Sequence, residues 1–254
     1  MSLQKMSYVI PNMSDERLVD LILTKVRNRD SLSFTRFGDG EIMILQNTIS
    51  NVVKDRMLKW SHGNFNSTVE ACQQIINTAL SNSDILGFMD PNNQIAKKIK
   101  YDQQKWSIKW SYLKSLRSDI PQIADHMATR GTMLGDPNQL SKIFGKTRIC
   151  IVSPRVKELK ANKIEDRLKM SINYVQTPMN INVFDRSDIF KKLDAIQEHV
   201  VLFGCAVKGK DFGSYLSKQG RIAIDYGATL DAWSGLITRP WFSPNNIQNH
   251  CLIK

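Results

Sequence analysis

From residue 146 onward, short apolar runs rich in Ile and Val alternate with amphipathic stretches, and no other feature of the chain narrows its fold as much. The pattern predicts strands over 148–152, 172–176, 199–203 and 221–224, with helices over 155–170, 188–198 and 208–218 between them. Strands joined by helical crossovers run parallel, and their helices cover both faces of the sheet. The upstream half fits the same plan. Residues 13–28 read as an amphipathic helix, with Ser14 as N-cap and Leu18, Leu21, Ile22 and Val26 at helical spacing. A strand is expected over 31–36, then a helix ending near residue 46. A further helix over 69–80 carries Cys72, Ile75, Ile76 and Ala79 on one face and precedes a strand over 84–89. No repeat, low-complexity tract or linker interrupts the 254 residues, so one domain over 1–254 is expected.

Ligands of parallel sheets collect beyond the carboxyl ends of the strands. Asp39, Ser153, Gly204 and Asp225 all fall just past expected strands, so one crevice can contain them. The densest chemistry lies in Ser33-Phe34-Thr35-Arg36-Phe37-Gly38-Asp39-Gly40-Glu41, where two carboxylates follow an arginine at the end of an apolar strand. Mg²⁺ and Mn²⁺ take oxygen ligands, commonly one or two carboxylates together with phosphate oxygens and water. Asp39 and Glu41 are therefore candidate metal ligands for a diphosphate-bearing substrate. Sharing one ion calls for an extended backbone, because side chains at i and i+2 project together on a strand and diverge on a helix. Gly38 and Gly40 would keep it open. The competing reading is capping, with Asp39 as N-cap and Glu41 as a first-turn acid, both favoured by free N–H groups and the helix dipole.

Other candidates flank the same strand ends. Gly204 opens a turn in which Lys208 and Lys210 could add positive charge for a diphosphate, although the spacing fits neither the phosphate-binding G-x-x-x-x-G-K-[ST] loop nor the dinucleotide fingerprint. Arg36 offers a forked donor set matched to phosphate, or a structural salt bridge to Asp39 or Glu41. Arg155, two residues beyond Ser153, is a second phosphate clamp or a helix start. Asp225 could accept a sugar hydroxyl, ligate metal, act as base, or cap the turn before Gly227; Asp231 is a second candidate base. Trp233 could stack on a sugar ring or sit in the core.

Three blocks of the chain resemble the GT-D type glycosyltransferases, a bacterial family first known as a domain of unknown function. The first is Ser33–Glu41, similar to the family's strand running into R-[FY]-G-D-G-E. The second joins Val200-Val201-Leu202-Phe203-Gly204 to Arg221-Ile222-Ala223-Ile224-Asp225-Tyr226-Gly227, matching a strand ending in glycine, a helix, and a strand ending in Asp-x-Gly. The third is Ile149-Cys150-Ile151-Val152-Ser153-Pro154-Arg155, with Ser153 where the family has glycine before proline. The segment Ala228–Trp233 departs from the His-Ile-Asp type continuation of the best-known members, which bears on donor sugar and acceptor more than on fold.

The resemblance implies an α/β fold with a predominantly parallel Rossmann-like sheet flanked by helices, GT-D glycosyltransferase-like. It implies a metal-dependent transferase that moves a sugar from a nucleoside-diphosphate-sugar donor, a UDP-sugar foremost, to a hydroxyl of a glycan, protein or lipid-linked saccharide. In its terms Asp39 and Glu41 hold Mn²⁺ or Mg²⁺, while Arg36, Ser153, Arg155, Gly204, Lys208 and Gly227 bind the donor. Asp225 and Asp231 are the candidate catalytic carboxylates, one of them the base that deprotonates the acceptor where transfer inverts configuration. Whether transfer inverts or retains configuration stays open.

Composition sets the boundaries. Lys and Arg exceed Asp and Glu by eleven (35 against 24), a balance that attracts phosphorylated substrates, nucleic acid or an anionic membrane surface. Residues 94–116 read as a basic helix with interleaved Trp and Tyr, a solvated face or an anionic-surface contact. No apolar run reaches the roughly 18 residues of a membrane span, and the first residues lack a secretory core. A cytoplasmic protein, in peripheral contact with the membrane where its acceptor is lipid-linked, is the expectation. Cys72, Cys150, Cys205 and Cys251 form no metal or redox pair, and Cys150 and Cys205 sit in strand-like runs as core residues. The four histidines show no zinc-ligand spacing. Two rival classes are a basic nucleic-acid-binding module that uses the lysine and aromatic face over 101–114, and an S-adenosylmethionine-dependent methyltransferase. The latter usually wants a glycine-rich first turn, and here that turn is acidic.

Overall fold

The computed structural model describes residues 13–59, 64–88, 122–125, 137–145 and 147–236. The basic segment 94–116 lies outside them. Among the described residues seven strands form one sheet: β1 (Leu32–Arg36), β2 (Ile85–Phe88), β3 (Ile123–Asp125), β4 (Ile149–Ser153), β5 (Ile172–Gln176), β6 (Val200–Phe203) and β7 (Ile222–Asp225). Their order is β3-β2-β1-β7-β6-β4-β5, and every pairing is parallel. Helices α1 (Asp15–Asn28), α2 (Asp39–Leu45), α3 (Asn51–Leu58), α4 (Phe65–Asn82) and α5 (Pro137–Phe144) accompany the first half. α6 (Val156–Ala161), α7 (Ile164–Leu168), α8 (Ser187–Asp194), α9 (Phe212–Lys218) and α10 (Ala228–Trp233) accompany the second. A 3₁₀ turn, Ala206–Gly209, links β6 to α9.

The period-2 pattern of the strands divides the core. Ile149, Ile151, Val200, Leu202, Ile222 and Ile224 join one cluster with Leu18 and Ile22 of α1, Leu140 of α5 and Trp233 of α10. The alternate residues Cys150, Val152, Val201, Phe203 and Ala223 join another with Ile189 and Leu193 of α8 and Phe212 and Leu216 of α9. β4, β6 and β7 are thus buried on both sides, as continuous apolar runs require, whereas the edge strand β5 is only partly buried. A third cluster packs α2, α3 and α4 against Leu86 and Phe88 of β2. β1 is the exception in composition. Its second face carries Ser33 and Thr35, both fully buried. The Ser33 hydroxyl donates to Asp84 Oδ2 at 2.8 Å, and Thr35 Oγ1 meets the Ser83 hydroxyl at 2.9 Å. Helix α9 comes close there, for a Cβ placed on Gly213 would lie 2.9 Å from Thr35 Oγ1.

Local signals set the ends of several elements. Ser14 caps α1 by accepting the Arg17 N–H at 3.3 Å, with Asp15 and Glu16 in the first turn and Lys25 and Arg27 in the last. Asn64 caps α4 in the same way on the Ser67 N–H. The helix expected over 155–170 is instead two, because Lys163 takes a left-handed conformation (φ 49°) between α6 and α7. The helix expected from 208 begins at Phe212, after the 3₁₀ turn. Among the described residues no helix is long and apolar enough to cross a membrane. Cys72, Cys150 and Cys205 are buried, and burial pushes their thiols up to about 12, 12 and 11 respectively, as inert core residues.

Candidate active site

Chain direction splits between β1 and β7: from β1 the chain moves on to β2 on one side, while the last strand returns to pair with β1 on the other. The crevice outside the carboxyl ends of such a strand pair is where open α/β sheets bind ligands. Four charged residues converge there, and each is buried. Arg36 ends β1 and Asp225 ends β7. The Arg36 backbone N–H donates to Asp225 Oδ2 at 3.3 Å, and its guanidinium Nη2 donates to Oδ1 at 3.4 Å. Lys210, just past the 3₁₀ turn, donates from Nζ to Asp225 Oδ2 at 2.6 Å and to the Arg36 carbonyl. The same ammonium lies 3.2 Å from Glu41 Oε1. The other Glu41 oxygen accepts the Gly38 N–H at 2.9 Å.

Two cations and two carboxylates cancel, which is what permits such burial; an unmatched charge here would cost several kcal/mol. Burial by itself would push the Asp225 carboxyl up, but Lys210 and Arg36, through charge and hydrogen bonds, outweigh it and hold the group below its ordinary value. Asp225 is therefore ionised with both oxygens engaged, an arrangement that holds chain segments together and suits proton abstraction poorly.

Glycines make room for this cluster. Gly87 is the β2 partner of Arg36, and a Cβ there would come 2.8 Å from both Arg36 Cγ and the Phe34 ring. Gly227 has φ +45°, and a Cβ on it would fall 1.9 Å from Arg36 Nη2. A Cβ on Gly204 would meet the Gly227 carbonyl at 2.9 Å. Gly204 and Gly227 thus have a packing reason for being glycine that the sequence reading, which set them against the donor, lacked.

The acidic motif differs from the extended arrangement expected. Asp39 and Glu41 are the first and third residues of α2, so the i, i+2 relation is that of a helical turn. Gly38, not Asp39, is the N-cap, and Glu41 folds back onto its N–H. The reason is local: an acid at the third helical position satisfies a free N–H donor and meets the positive end of the helix. Capping and ligation are compatible, because a carboxylate has about four acceptor positions and Glu41 uses two in these contacts. Its hard oxygen donors suit Mg²⁺ or Mn²⁺, with Asp39 two residues before it on the same turn. Among the described residues no group of three or more His, Cys, Asp or Glu stands together as a metal site. An ion here would draw on diphosphate oxygens and water as well, the usual condition for Mg²⁺.

Lys208 is placed elsewhere. Its ammonium, also buried, donates to the Met179 carbonyl at 2.7 Å, and burial lowers it to about 8. Lys210 is the lysine that reaches the carboxylates. The two are separated by one residue at the end of a 3₁₀ turn, where the side chain directions differ sharply, and only the tertiary structure selects between them. A second small group lies at the end of β4. The Arg155 N–H donates to Ser153 Oγ at 3.0 Å, and Arg155 Nε lies 3.7 Å from Asp231 Oδ1, both side chains partly exposed. Asp231 sits on α10, one turn past Gly227, and keeps the solvent access that Asp225 lacks. Trp233 is fully buried, its ring 5.3 Å from that of Tyr226, so it belongs to the core and not to a sugar platform.

A family model described as the GT-D fold-like domain matches residues 13–233. Among solved structures, one described as the highly conserved domain of unknown function 1792 with a distinct glycosyltransferase fold is similar at TM-score 0.60 and 16% identity, over 95% of this chain and 91% of that one. Another, described as a new glycosyltransferase of that domain from Streptococcus sanguinis, is similar at TM-score 0.58 and 15% identity, over 97% and 95%. A comparison with curated proteins finds no match. The all-parallel sheet, the buried charged cluster at the carboxyl ends of β1 and β7, and the match across 13–233 agree: the chain belongs to the GT-D fold-like domain family.

Proposed function

We propose that this protein is a glycosyltransferase that moves a sugar from a nucleoside-diphosphate donor, a UDP-sugar first among them, to a hydroxyl of a saccharide-bearing acceptor. The observation that carries the reading is the Arg36–Glu41–Lys210–Asp225 cluster at the β1–β7 crevice of a GT-D fold-like chain. Similarity to solved structures described as glycosyltransferases or as having a glycosyltransferase fold supports it. Asp39 and Glu41 would hold a divalent ion, Mn²⁺ or Mg²⁺. Such an ion, when bound, neutralises charge on the leaving diphosphate. Arg36 and Lys210 set the potential of the crevice from the protein side.

In the transfer step the acceptor oxygen forms a bond to the anomeric carbon as the bond from that carbon to the diphosphate oxygen breaks. The nucleoside diphosphate departs with the electron pair, and the hydroxyl proton passes to a base. Asp231 is the better placed of the two candidate carboxylates, since Asp225 is buried and held by Arg36 and Lys210. Arg155, beside it, and Ser153 border the same strand ends and would orient the donor.

The test is direct. The purified protein is incubated with a panel of nucleotide sugars and glycan acceptors with Mn²⁺ present, and nucleotide release and product mass are followed. Donor-specific release that grows with acceptor and disappears in Glu41→Gln supports the reading; no release from any nucleotide sugar refutes it.

A further inference from the structure

The sequence sets Lys208 rather than Lys210 against the donor, and the structure gives Lys210 the more specific environment. Its backbone is fixed on both sides. The Lys210 N–H donates to the Val207 carbonyl at 3.2 Å, and the next residue, Asp211, is gripped by Arg186 through two hydrogen bonds of 2.7 and 2.8 Å. The turn below it has no slack, for a Cβ on Gly209 would lie 2.6 Å from Cys205 Cβ. The ammonium is thus delivered to one place, between a carboxylate on α2 and a carboxylate ending β7.

Its two carboxylate contacts are unequal. Asp225 is held at 2.6 Å and supported by the Arg36 carbonyl, whereas Glu41 is met at 3.2 Å. The ammonium can give up Glu41 and still keep two oxygen partners. Glu41, meanwhile, is held by the Gly38 N–H through its other oxygen, so its carboxylate does not depend on Lys210 alone for its position.

We propose that Lys210 is a built-in counter-cation that competes with a divalent ion for Glu41. In the absence of diphosphate the ammonium neutralises Glu41 and keeps metal affinity low; an ion brought in with a diphosphate takes Glu41, and Lys210 retains Asp225 and the Arg36 carbonyl. This rests on the reading of Glu41 as a ligand of a divalent ion, and it makes Lys210 a positioning residue that couples metal binding to donor binding. A fixed positive charge beside a metal ligand weakens the ion's binding electrostatically, so removing the charge raises affinity. A lysine that only braced the fold would have the opposite effect or none.

The experiment is equilibrium binding of Mn²⁺ to the full chain without nucleotide, followed by electron paramagnetic resonance of the free ion, for wild type, Lys210→Met, Lys210→Arg, Glu41→Gln and the Glu41→Gln/Lys210→Met double variant. Thermal unfolding is measured in parallel. Lys210→Met is expected to bind Mn²⁺ at least tenfold more tightly than wild type, Lys210→Arg no more tightly, and the Glu41→Gln/Lys210→Met double variant is expected to lose the gain. Lys210→Gln, neutral and still a donor to Asp225, takes the place of Lys210→Met if that variant does not fold. Equal or weaker Mn²⁺ binding in a folded neutral variant overturns the proposal, as does a gain that survives Glu41→Gln. Because no sugar donor is present, this outcome is independent of transfer: absence of turnover with the expected metal pattern strikes the transferase reading alone.

Discussion

Substituting Gly227 by alanine tests the cluster through its packing. The new methyl group would fall 1.9 Å from Arg36 Nη2, far inside van der Waals contact, at φ +45° where side chains are seldom tolerated. A free arginine would swing aside at little cost, but this one cannot. Its guanidinium pairs with Asp225 Oδ1, and its Cγ is walled in on the β2 side by Gly87. The backbone strain costs about 1–3 kcal/mol and overpacking adds roughly 1–3 kcal/mol. The sum of about 2–6 kcal/mol, at about 2–4 °C per kcal/mol for a chain near this size, lowers the melting temperature by roughly 4–24 °C. Two other glycines serve as controls. Gly220 has φ +82° with nothing within 4 Å, so alanine there carries strain without a clash; Gly40, inside α2, has neither. Differential scanning calorimetry should rank the losses as Gly227→Ala, then Gly220→Ala, with Gly40→Ala neutral or slightly stabilising because alanine favours helix. A Gly227→Ala protein melting within 2 °C of wild type (roughly 1 kcal/mol at this chain length) would refute the geometry around Arg36.

Further outcomes follow from the same contacts. Asp225→Asn leaves Lys210 and Arg36 short of a buried counter-charge and should destabilise by about 3–5 kcal/mol in urea unfolding. Asp231→Asn, at a partly exposed position, should leave the urea midpoint nearly unchanged while lowering the transfer rate by about 10²–10⁴-fold if Asp231 is the base; an unaltered rate removes it from that role. Burial lowers Lys208 from its ordinary 10.5 to about 8, so between those values the unfolded chain binds more protons and stability rises with pH. Lys208→Met removes that dependence. Its stability relative to wild type should fall by up to roughly 3 kcal/mol between pH 7 and 10.5, and a pH-independent difference would contradict the burial of the charge. Gly87→Ala should cost about 1–3 kcal/mol by crowding Phe34 and the Arg36 stem.

The inner strands of the sheet were legible because they are buried on both faces. Continuous apolar runs such as Ile149–Val152 and Val200–Phe203 announce themselves, and the helices between them set the parallel direction. What escaped was short or decided by tertiary contact. β3 has three residues, and α10, six residues long, opens after a glycine with positive φ. The break between α6 and α7 rests on a left-handed lysine, a residue type that gives no sign of it. At the site, Arg36, Glu41 and Asp225 were visible as charged residues at strand ends, and the structure brings all three together. The choice of Lys210 over Lys208 was not visible, because the turn that aims them lacks a sequence period. Neither was the reason for Gly227, which lies in Arg36, 191 positions away.

The central claim is that the β1–β7 crevice binds a nucleoside diphosphate together with a divalent ion held at Glu41. Thermal unfolding against a panel of nucleoside diphosphates, with and without Mn²⁺, measures this most directly, since a ligand of the native state raises the midpoint by mass action. The account predicts that one nucleotide, UDP first, raises the midpoint only with Mn²⁺, and that Glu41→Gln abolishes the rise. A panel that leaves the midpoint unmoved, or a rise that persists in Glu41→Gln, would contradict it.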